Sequence, residues 1–356
     1  MGPASLPACL MVLWWGWVFA PPGQAILPPD LSMTQLSQMF QEFMIQFNKT
    51  YQSQEERHHR FSVFAQNLEM SRALQASELG TATYGVTKFS DLTEGEFALM
   101  LGASPRSSPP PRQKQGRIPR RGPRPHSCDW RKHGAITAVK HQGSWCRSCW
   151  AFAAVSNIEA LWNIHRHAPR NLSVQEVVDC VRGGDGCKGG YTWDAFLAVM
   201  KQGGLMKDKV GPGDDVDDDG NTFYPAYDDG EHACRSKKGA AAAQILDFEI
   251  LPRDEEEIAN VVASHGPVTA IIYWNPLQHY QNGIVKIKEC DGTAWPDHAV
   301  LIVGYGEENP HRPGAKNYWI IQNSWGTNWG EKGYFRLHRG SNACSIAKFP
   351  VTARVT

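Results

Sequence analysis

The chain has 356 residues, with 36 Lys and Arg against 36 Asp and Glu, so its formal net charge is zero. That length exceeds what one hydrophobic core usually organises and points to more than one folded unit. The charge balance leaves no net basic character to bind nucleic acid, and no nucleic-acid partner is expected.

Residues 10–20 are apolar and are followed by Pro21, Pro22 and Gly23. This reads as a secretory signal peptide over residues 1–20 that lacks the usual basic start, and it is too short for a comfortable membrane span. No later stretch is apolar for long enough to cross a bilayer, so the protein is expected to enter the secretory pathway and stay soluble there. In an oxidising lumen thiols pair as disulfides. Setting aside Cys9, the chain holds Cys128, Cys146, Cys149, Cys180, Cys187, Cys234, Cys290 and Cys344, an even set that permits full pairing or two free thiols. Asn48 and Asn171 each begin a glycosylation sequon, which fits the same compartment.

Residues 32–79 read as helical, with Phe40, Phe43, Met44 and Phe47 spaced to share a face. A second helix is predicted over 55–74. Its Glu56, Arg60, Phe64 and Asn67 line one stripe, and an ion pair between Glu56 and Arg60 is expected. Residues 103–126 are crowded with proline, serine and basic residues, which makes an exposed linker and a natural site of proteolytic cutting. A body of single-domain or two-lobed size begins near residue 125.

Within the body, Ser148 is placed to cap a helix running to about residue 164, with Cys149 in its first turn. Ser173 and Glu176 read as a capping box opening a second helix, and 191–200 as a third. Asp215, Asp217, Asp219 and Gly220 match the opening of a calcium loop, but the twelfth position is Ala226 and no helix precedes it. Residues 211–221 therefore read as a solvated acidic insertion, and no metal is expected. Past residue 244 the segments ILDFEIL, PVTAIIYW, HAVLIVGYG, NYWIIQN and GYFRLHR read as strands. The class is α+β, with a helical lobe at about 128–240 followed by a mostly antiparallel β lobe at about 241–350.

The chemistry concentrates in HQGSWCRSCWAF at 141–152, where Cys146 and Cys149 stand three apart. Spacing alone allows a redox pair, half a metal site, or a nucleophile beside a structural thiol. No thioredoxin-like βαβ context surrounds the pair, and no second close ligand pair completes a zinc site. A cysteine in the first turn of a helix has its thiolate favoured by the helix dipole. A nucleophilic cysteine also needs an imidazole and a group that orients it; His298 and Asn323, at opposite ends of two predicted strands, are the candidates.

CWAFA from Cys149 onward, DGCKGG at 185–190, DHAVLIVGYG at 297–306 and QNSWGTNWGEKGYFRL at 322–337 together resemble the papain-like cysteine proteases. The resemblance covers nearly the whole chain. GVTKFSD at 85–91 is similar to that family's propeptide box, the stripe Glu56, Arg60, Phe64, Asn67, Ser71 and Gln75 to its propeptide helix, and DWRKHGAITAVKHQG at 129–143 to its mature start.

The resemblance implies a two-lobed papain-like fold at 125–356 preceded by an inhibitory propeptide at 21–124. It implies an endopeptidase made as a zymogen, acting on protein or peptide substrates through an acyl-enzyme, with its own propeptide as intramolecular inhibitor. Cys149 would be the nucleophile, His298 its ion-pair partner and general acid, Asn323 the residue holding the imidazole, and Gln142 an oxyanion donor beside the Cys149 N–H. Trp325 would cover the bond between Asn323 and His298, and Gly189 with Gly190 would let an extended substrate lie against the backbone. The implied disulfides join Cys146 to Cys187, Cys180 to Cys234 and Cys290 to Cys344, leaving Cys149 free and Cys128 unpaired, which reads as a partly buried thiol in preference to an intermolecular bridge. No cofactor and a monomer are implied, with the lysosome or endosome as address and the endoplasmic reticulum lumen as the alternative.

Two residues depart from the family pattern. Arg147 stands where the family usually has glycine, and Trp145 reads as an extra residue between Gln142 and Cys149. Arg147 is expected to intrude on the substrate channel and the extra residue to displace Gln142; loss of one oxyanion donor costs about 100- to 1000-fold in rate. The alternative reading is therefore a papain-fold protein with weak or no turnover that binds peptides or partners.

Overall fold

Aromatic residues one helical turn apart set the first packing unit. Phe40 and Phe43 on α1 (Met33–Gln46) and Phe64 with Leu68 on α2 (Gln54–Ser77) are buried together in a small core of their own. The computed structural model describes residues 31–102, 124–181, 186–209, 223–237, 239–308 and 316–355. The expected signal peptide, most of the linker and the acidic insertion lie outside the described residues. Among the described residues no helix is long and apolar enough to cross a membrane.

The polar stripe of α2 grips the chain that follows it. Asn67 Nδ2 donates to the carbonyls of Ser90 (2.9 Å) and Leu92 (2.8 Å). Gln75 Nε2 donates to Ala82 O, and its Oε1 accepts the Tyr84 N–H, both at 3.1 Å. These bonds lay residues 82–92, with β1 (Thr83–Tyr84), along the helix before α3 (Glu94–Leu99) begins at a Thr93–Glu96 capping box.

The expected pairing of Arg60 with Glu56 is not the one formed. Arg60 Nη1 reaches Glu96 Oε2 at 2.8 Å and the Asp91 carbonyl at 3.0 Å, whereas the Glu56 carboxylate accepts the Gln52 N–H at 2.7 Å. A pair along one exposed helix gains little, while the pair to α3 adds a carbonyl and ties distant segments together.

In the body, β2 (Cys128–Asp129) precedes α4 (Cys149–Arg166), α5 (Val174–Cys180), α6 (Thr192–Gln202), β3 (Lys207–Asp208) and β4 (Phe223–Tyr224). There follow β5 (Ile245–Ile250), α7 (Glu255–Ser264), β6 (Val268–Ile272), β7 (Tyr280–Asn282), β8 (Ile284–Val285), β9 (His298–Glu308), β10 (Lys316–Gln322), β11 (Tyr334–His338) and β12 (Val351–Val355). The main sheet has the order β5-β12-β6-β9-β10-β11-β8, with β2 on β9. It is antiparallel except where β11 meets β8.

The fold is α+β and two-lobed, with one core around α4 and another around β9 and β10. The lobes exchange their ends. β2, from the start of the helical half, pairs with β9, while Ile245 of β5 and Val351 and Ala353 of β12 join the helical core. A cut at residue 240 therefore does not separate the two lobes cleanly. Two local readings also change. Ser148 occupies the cap position of α4, but its side chain makes no capping bond and instead meets Tyr227 Oη at 2.7 Å. Ser173 accepts the Glu176 N–H, but the Glu176 carboxylate turns to the Met206 N–H, so only half a capping box forms.

The front unit is not a separate body. Phe89, Phe97, Met100 and Leu101 are buried in the same cluster as Trp274, Trp325 and Trp329 of the β lobe, and β1 pairs with β7.

Burial alone would raise the Glu96 carboxyl, but hydrogen bonds from Arg60 and Thr93 outweigh it and hold the group below its ordinary value of 4.5. A carboxyl depressed by folding stabilises the folded unit above its unfolded value, and that contribution is lost as pH falls through the depressed value. Glu96 is 37% exposed, so solvent screening discounts the pair. Glu96→Gln should weaken the α2–α3 unit by about 1 kcal/mol at pH 7, with the difference fading below pH ~4. Hydrogen exchange of the α2 amides measures this; equal protection in variant and parent at pH 7 contradicts it.

Candidate active site

Three elements bring the candidate residues together. Cys149 is the first residue of α4 and is fully buried; its Sγ accepts the Ala299 N–H at 3.4 Å. That contact sets it against the start of β9, where His298 sits. β10 runs antiparallel beside β9 and delivers Asn323 just past its end. His298 Nε2 lies 2.8 Å from Asn323 Oδ1, which also accepts the Ser324 N–H at 2.8 Å. The second bond fixes that atom as the amide oxygen, so Nε2 carries the ring proton and Nδ1 is left as the basic nitrogen. Nδ1 is buried and has no hydrogen-bond partner among the described residues. The Trp325 indole stacks on the imidazole, ring centres 4.7 Å apart, and closes it from water on that side.

Gln142 is held from the β lobe. Its N–H donates to Ser324 O at 2.8 Å, and the Gly326 N–H donates to Lys140 O at 3.0 Å, so residues 140–142 run as a short strand beside 324–326. Ser324 Oγ donates to Gln142 Oε1 at 2.6 Å, which turns Nε2 outward. Nε2 donates in turn to the Met100 carbonyl at 2.8 Å. Ser324 is a site residue that sequence reading missed; its position beside Asn323 was the available signal.

Neither departure acts as expected. Trp145 is 86% exposed, so the extra residue bulges outward and Gln142 still reaches a carbonyl. Arg147 does not block the channel. Its main-chain N–H donates to Cys187 O, and its Nε donates to the Leu99 carbonyl at 3.0 Å, so it lies alongside the chain that occupies the cleft.

That chain is residues 99–102 of the front unit. Besides the Met100 bond, Gly102 O accepts the Gly190 N–H at 2.8 Å. A Cβ on Gly102 would stand 2.1 Å from Arg147 O, so only glycine passes there. Gly190 has a second reason to be glycine besides the one expected. A Cβ on it would meet the Trp150 ring at 2.9 Å, so a demand also comes from beneath. Gly189 has φ +96°, a conformation that favours glycine.

Phe89 and Phe97 close the edges of Trp325, each with ring centres 5.2 Å away. Buried Lys88 donates to Trp325 O at 2.6 Å and stands 2.8 Å from His141 Nε2; burial and then nearby Lys49 bring it down to about 8.

Burial decides the charge state of the pair. It pushes the Cys149 thiol up to about 11 despite main-chain donors from Ala299 and Gly102, and brings His298 down to about 4 despite its bond to Asn323. With the cleft covered, burial disfavours the charged form of both thiol and imidazole, against the thiolate that the helix start alone would favour. The disulfides are Cys146–Cys187, Cys180–Cys234 and Cys290–Cys344. Cys128 is a half-buried free thiol. Asn48 and Asn171 are exposed. No cluster of His, Cys, Asp and Glu able to hold a metal occurs among the described residues.

The comparisons agree with this geometry. Residues 124–354 match the papain family cysteine protease and residues 40–97 the cathepsin propeptide inhibitor domain. Cathepsin W of Mus musculus is 42% identical over 339 residues, covering 90% of this chain and 87% of the relative. Cathepsin W of Felis catus is 41% identical over 354 residues, covering 92% and 88%. The solved structure of digestive procathepsin L 3 from Tenebrio molitor larval midgut superposes with a TM-score of 0.74 at 28% identity, covering 91% of this chain and all of that one. With a free cysteine beside a histidine–asparagine pair and an inhibitor segment across the cleft, the chain belongs to the papain family of cysteine proteases and is a cysteine peptidase zymogen.

Proposed function

We propose that the protein is a lysosomal or endosomal endopeptidase that reaches its compartment through the secretory pathway. Cys149 is its nucleophile, His298 its base and acid, Asn323 the group orienting the imidazole, and Gln142 its oxyanion donor. The observation that carries this reading is the Met100 carbonyl, a peptide carbonyl accepting from Gln142 Nε2 at 2.8 Å in the cleft that buries Cys149. A substrate carbonyl in the same position would be polarised by that donor and by the N–H at the start of α4.

In acylation the Cys149 proton passes to His298 Nδ1 and the sulfur attacks the carbonyl carbon. The oxyanion then collapses, the C–N bond breaks, and His298 returns the proton to the leaving amine. Water, deprotonated by the same nitrogen, cleaves the thioester and restores the thiol. Asn323 keeps Nε2 protonated throughout, so Nδ1 stays available.

Acid favours release of the propeptide. His141, solvent-exposed on one side and set against Lys88 on the other, is held below its ordinary value of 6.5, by partial desolvation first and then by the lysine charge; the Asp229 carboxylate acts in the opposite sense. The docked state is therefore favoured above pH 6.5, and loses that advantage as pH falls and the released state takes up the proton first. The Arg60–Glu96 pair weakens in the same direction at lower pH. The disulfides and the exposed sequon asparagines fit secretory passage. Trp145 and Arg147 motivate the alternative of a peptide-binding module without turnover, but the intact Gln142 contact favours the enzyme.

An epoxide reagent should label Cys149 of the linker-cleaved protein, with the adduct located by mass spectrometry, and His298→Ala should abolish the labelling. Gln142→Ala should lower kcat/KM for a peptide by about 100- to 1000-fold. Folded, cleaved protein that takes no label between pH ~4 and ~7, where such a pair should be charged, overturns the reading. Gly102→Ala cannot keep the covering segment in place, so the uncleaved variant should react with the epoxide at least about tenfold faster than the uncleaved parent, the change that 1.4 kcal/mol of lost docking produces. Equal rates would mean that residues 99–102 do not control access.

A further inference from the structure

The loop that carries the extra residue closes on one side chain from a distant part of the chain. The Asp229 carboxylate accepts three successive main-chain N–H groups: Ser144 at 2.7 Å, Trp145 at 3.0 Å and Cys146 at 2.7 Å. The flanking amides are also satisfied. Gly143 donates to His141 Nδ1 at 2.8 Å, and Arg147 to Cys187 O at 3.2 Å. Consecutive amides aimed at one carboxylate form an anion-binding concavity, and such charge-assisted bonds are stronger than neutral ones. The fit is close. A Cβ on Gly143 would stand 2.2 Å from the Asp229 carboxyl carbon, and Gly143 has φ +75°. Asp229 itself has φ +63°, a conformation its neighbours must hold. Tyr227, two residues earlier, packs edge-on against Phe152 of α4 and donates its hydroxyl to Gln142 O at 2.7 Å.

We propose that Asp229 is a positioning residue for the oxyanion donor: it folds residues 144–146 outward as one loop, so that the extra residue projects into solvent as Trp145 while Gln142 keeps its reach. The proposal rests on the protease reading above. Asp229 touches no reacting atom and acts through Gln142.

The test uses linker-cleaved protein carrying Asp229→Ala or Asp229→Asn, each alone and with Gln142→Ala, with folding checked by near-ultraviolet circular dichroism. Misplacing a catalytic group by about 1 Å costs about 100-fold, so Asp229→Ala should lower kcat for a peptide by about 10- to 100-fold with KM little changed. Asp229→Asn, which keeps one acceptor oxygen and the shape, should recover part of the loss. Alkylation of Cys149 by iodoacetamide builds no oxyanion and should stay within about twofold of the parent if Asp229 acts only on oxyanion stabilisation. In the Gln142→Ala background, Asp229→Ala should add little. Alkylation that falls as far as turnover, or the same loss with and without Gln142, makes Asp229 a structural residue only and overturns the proposal, as does an Asp229→Ala variant with parental turnover. A folded parent that hydrolyses no peptide instead overturns the protease reading, and this proposal with it.

Discussion

The hydrogen bond from Gln142 Nε2 to the Met100 carbonyl is the contact on which the rest of the arrangement turns. A side-chain amide can point at a carbonyl in a cleft only if its own oxygen is occupied elsewhere and its main chain cannot move. Ser324 supplies the first condition, and the pairing of 140–142 with 324–326 supplies the second. Because 324–326 follows directly on Asn323, one short segment of the β lobe orients both the His298 imidazole and the Gln142 side chain. Lys140 anchors the other side through buried Glu159 on α4, so the strand is fixed to both lobes.

The same bond explains why the precursor is silent. Residues 99–102 lie across the cleft as a peptide would, and the aromatic rings of Phe89 and Phe97 seal Trp325 behind them. Each such ring contributes about 1.5 to 3 kcal/mol by burial. The consequence for the thiol is a competition of magnitudes. A helix start favours an anion by about 0.3 to 1 kcal/mol, whereas removing an ion from water costs several kcal/mol. Burial outweighs the helix start, so covering the cleft disfavours the charged form of both groups. Departure of the propeptide readmits water, lifts the desolvation penalty and leaves the helix start to favour the thiolate.

Much of this was legible in the sequence because chemistry restricts residue type. A thiol in the first turn of a helix, a histidine opening one strand and an asparagine closing the next leave few alternatives, and hydrophobic period placed α1, α2, α4 and the long strands. What escaped reading depended on contacts between distant segments. Arg60 chose Glu96 over Glu56 because α3 folds back onto α2, which no helical spacing reports. The direction of the extra residue depended on Asp229, 84 residues beyond Trp145. A second demand on Gly190 lay underneath it, in Trp150. Two elements that went unread carried a signal. Ile258, Val261 and Val262 after an Asp254 cap announce α7, and the alternating VTARV announces β12.

On the function proposed above, it is the covering segment that keeps Cys149 unreactive. The pH dependence of Cys149 alkylation, followed by mass spectrometry in intact and in linker-cleaved protein, tests this most directly. The intact protein should react slowly throughout mild acid and neutrality, and the cleaved protein, after acid release of the propeptide, should react rapidly already in mild acid. A rapid reaction of intact protein in mild acid, or the same profile before and after cleavage, would contradict it.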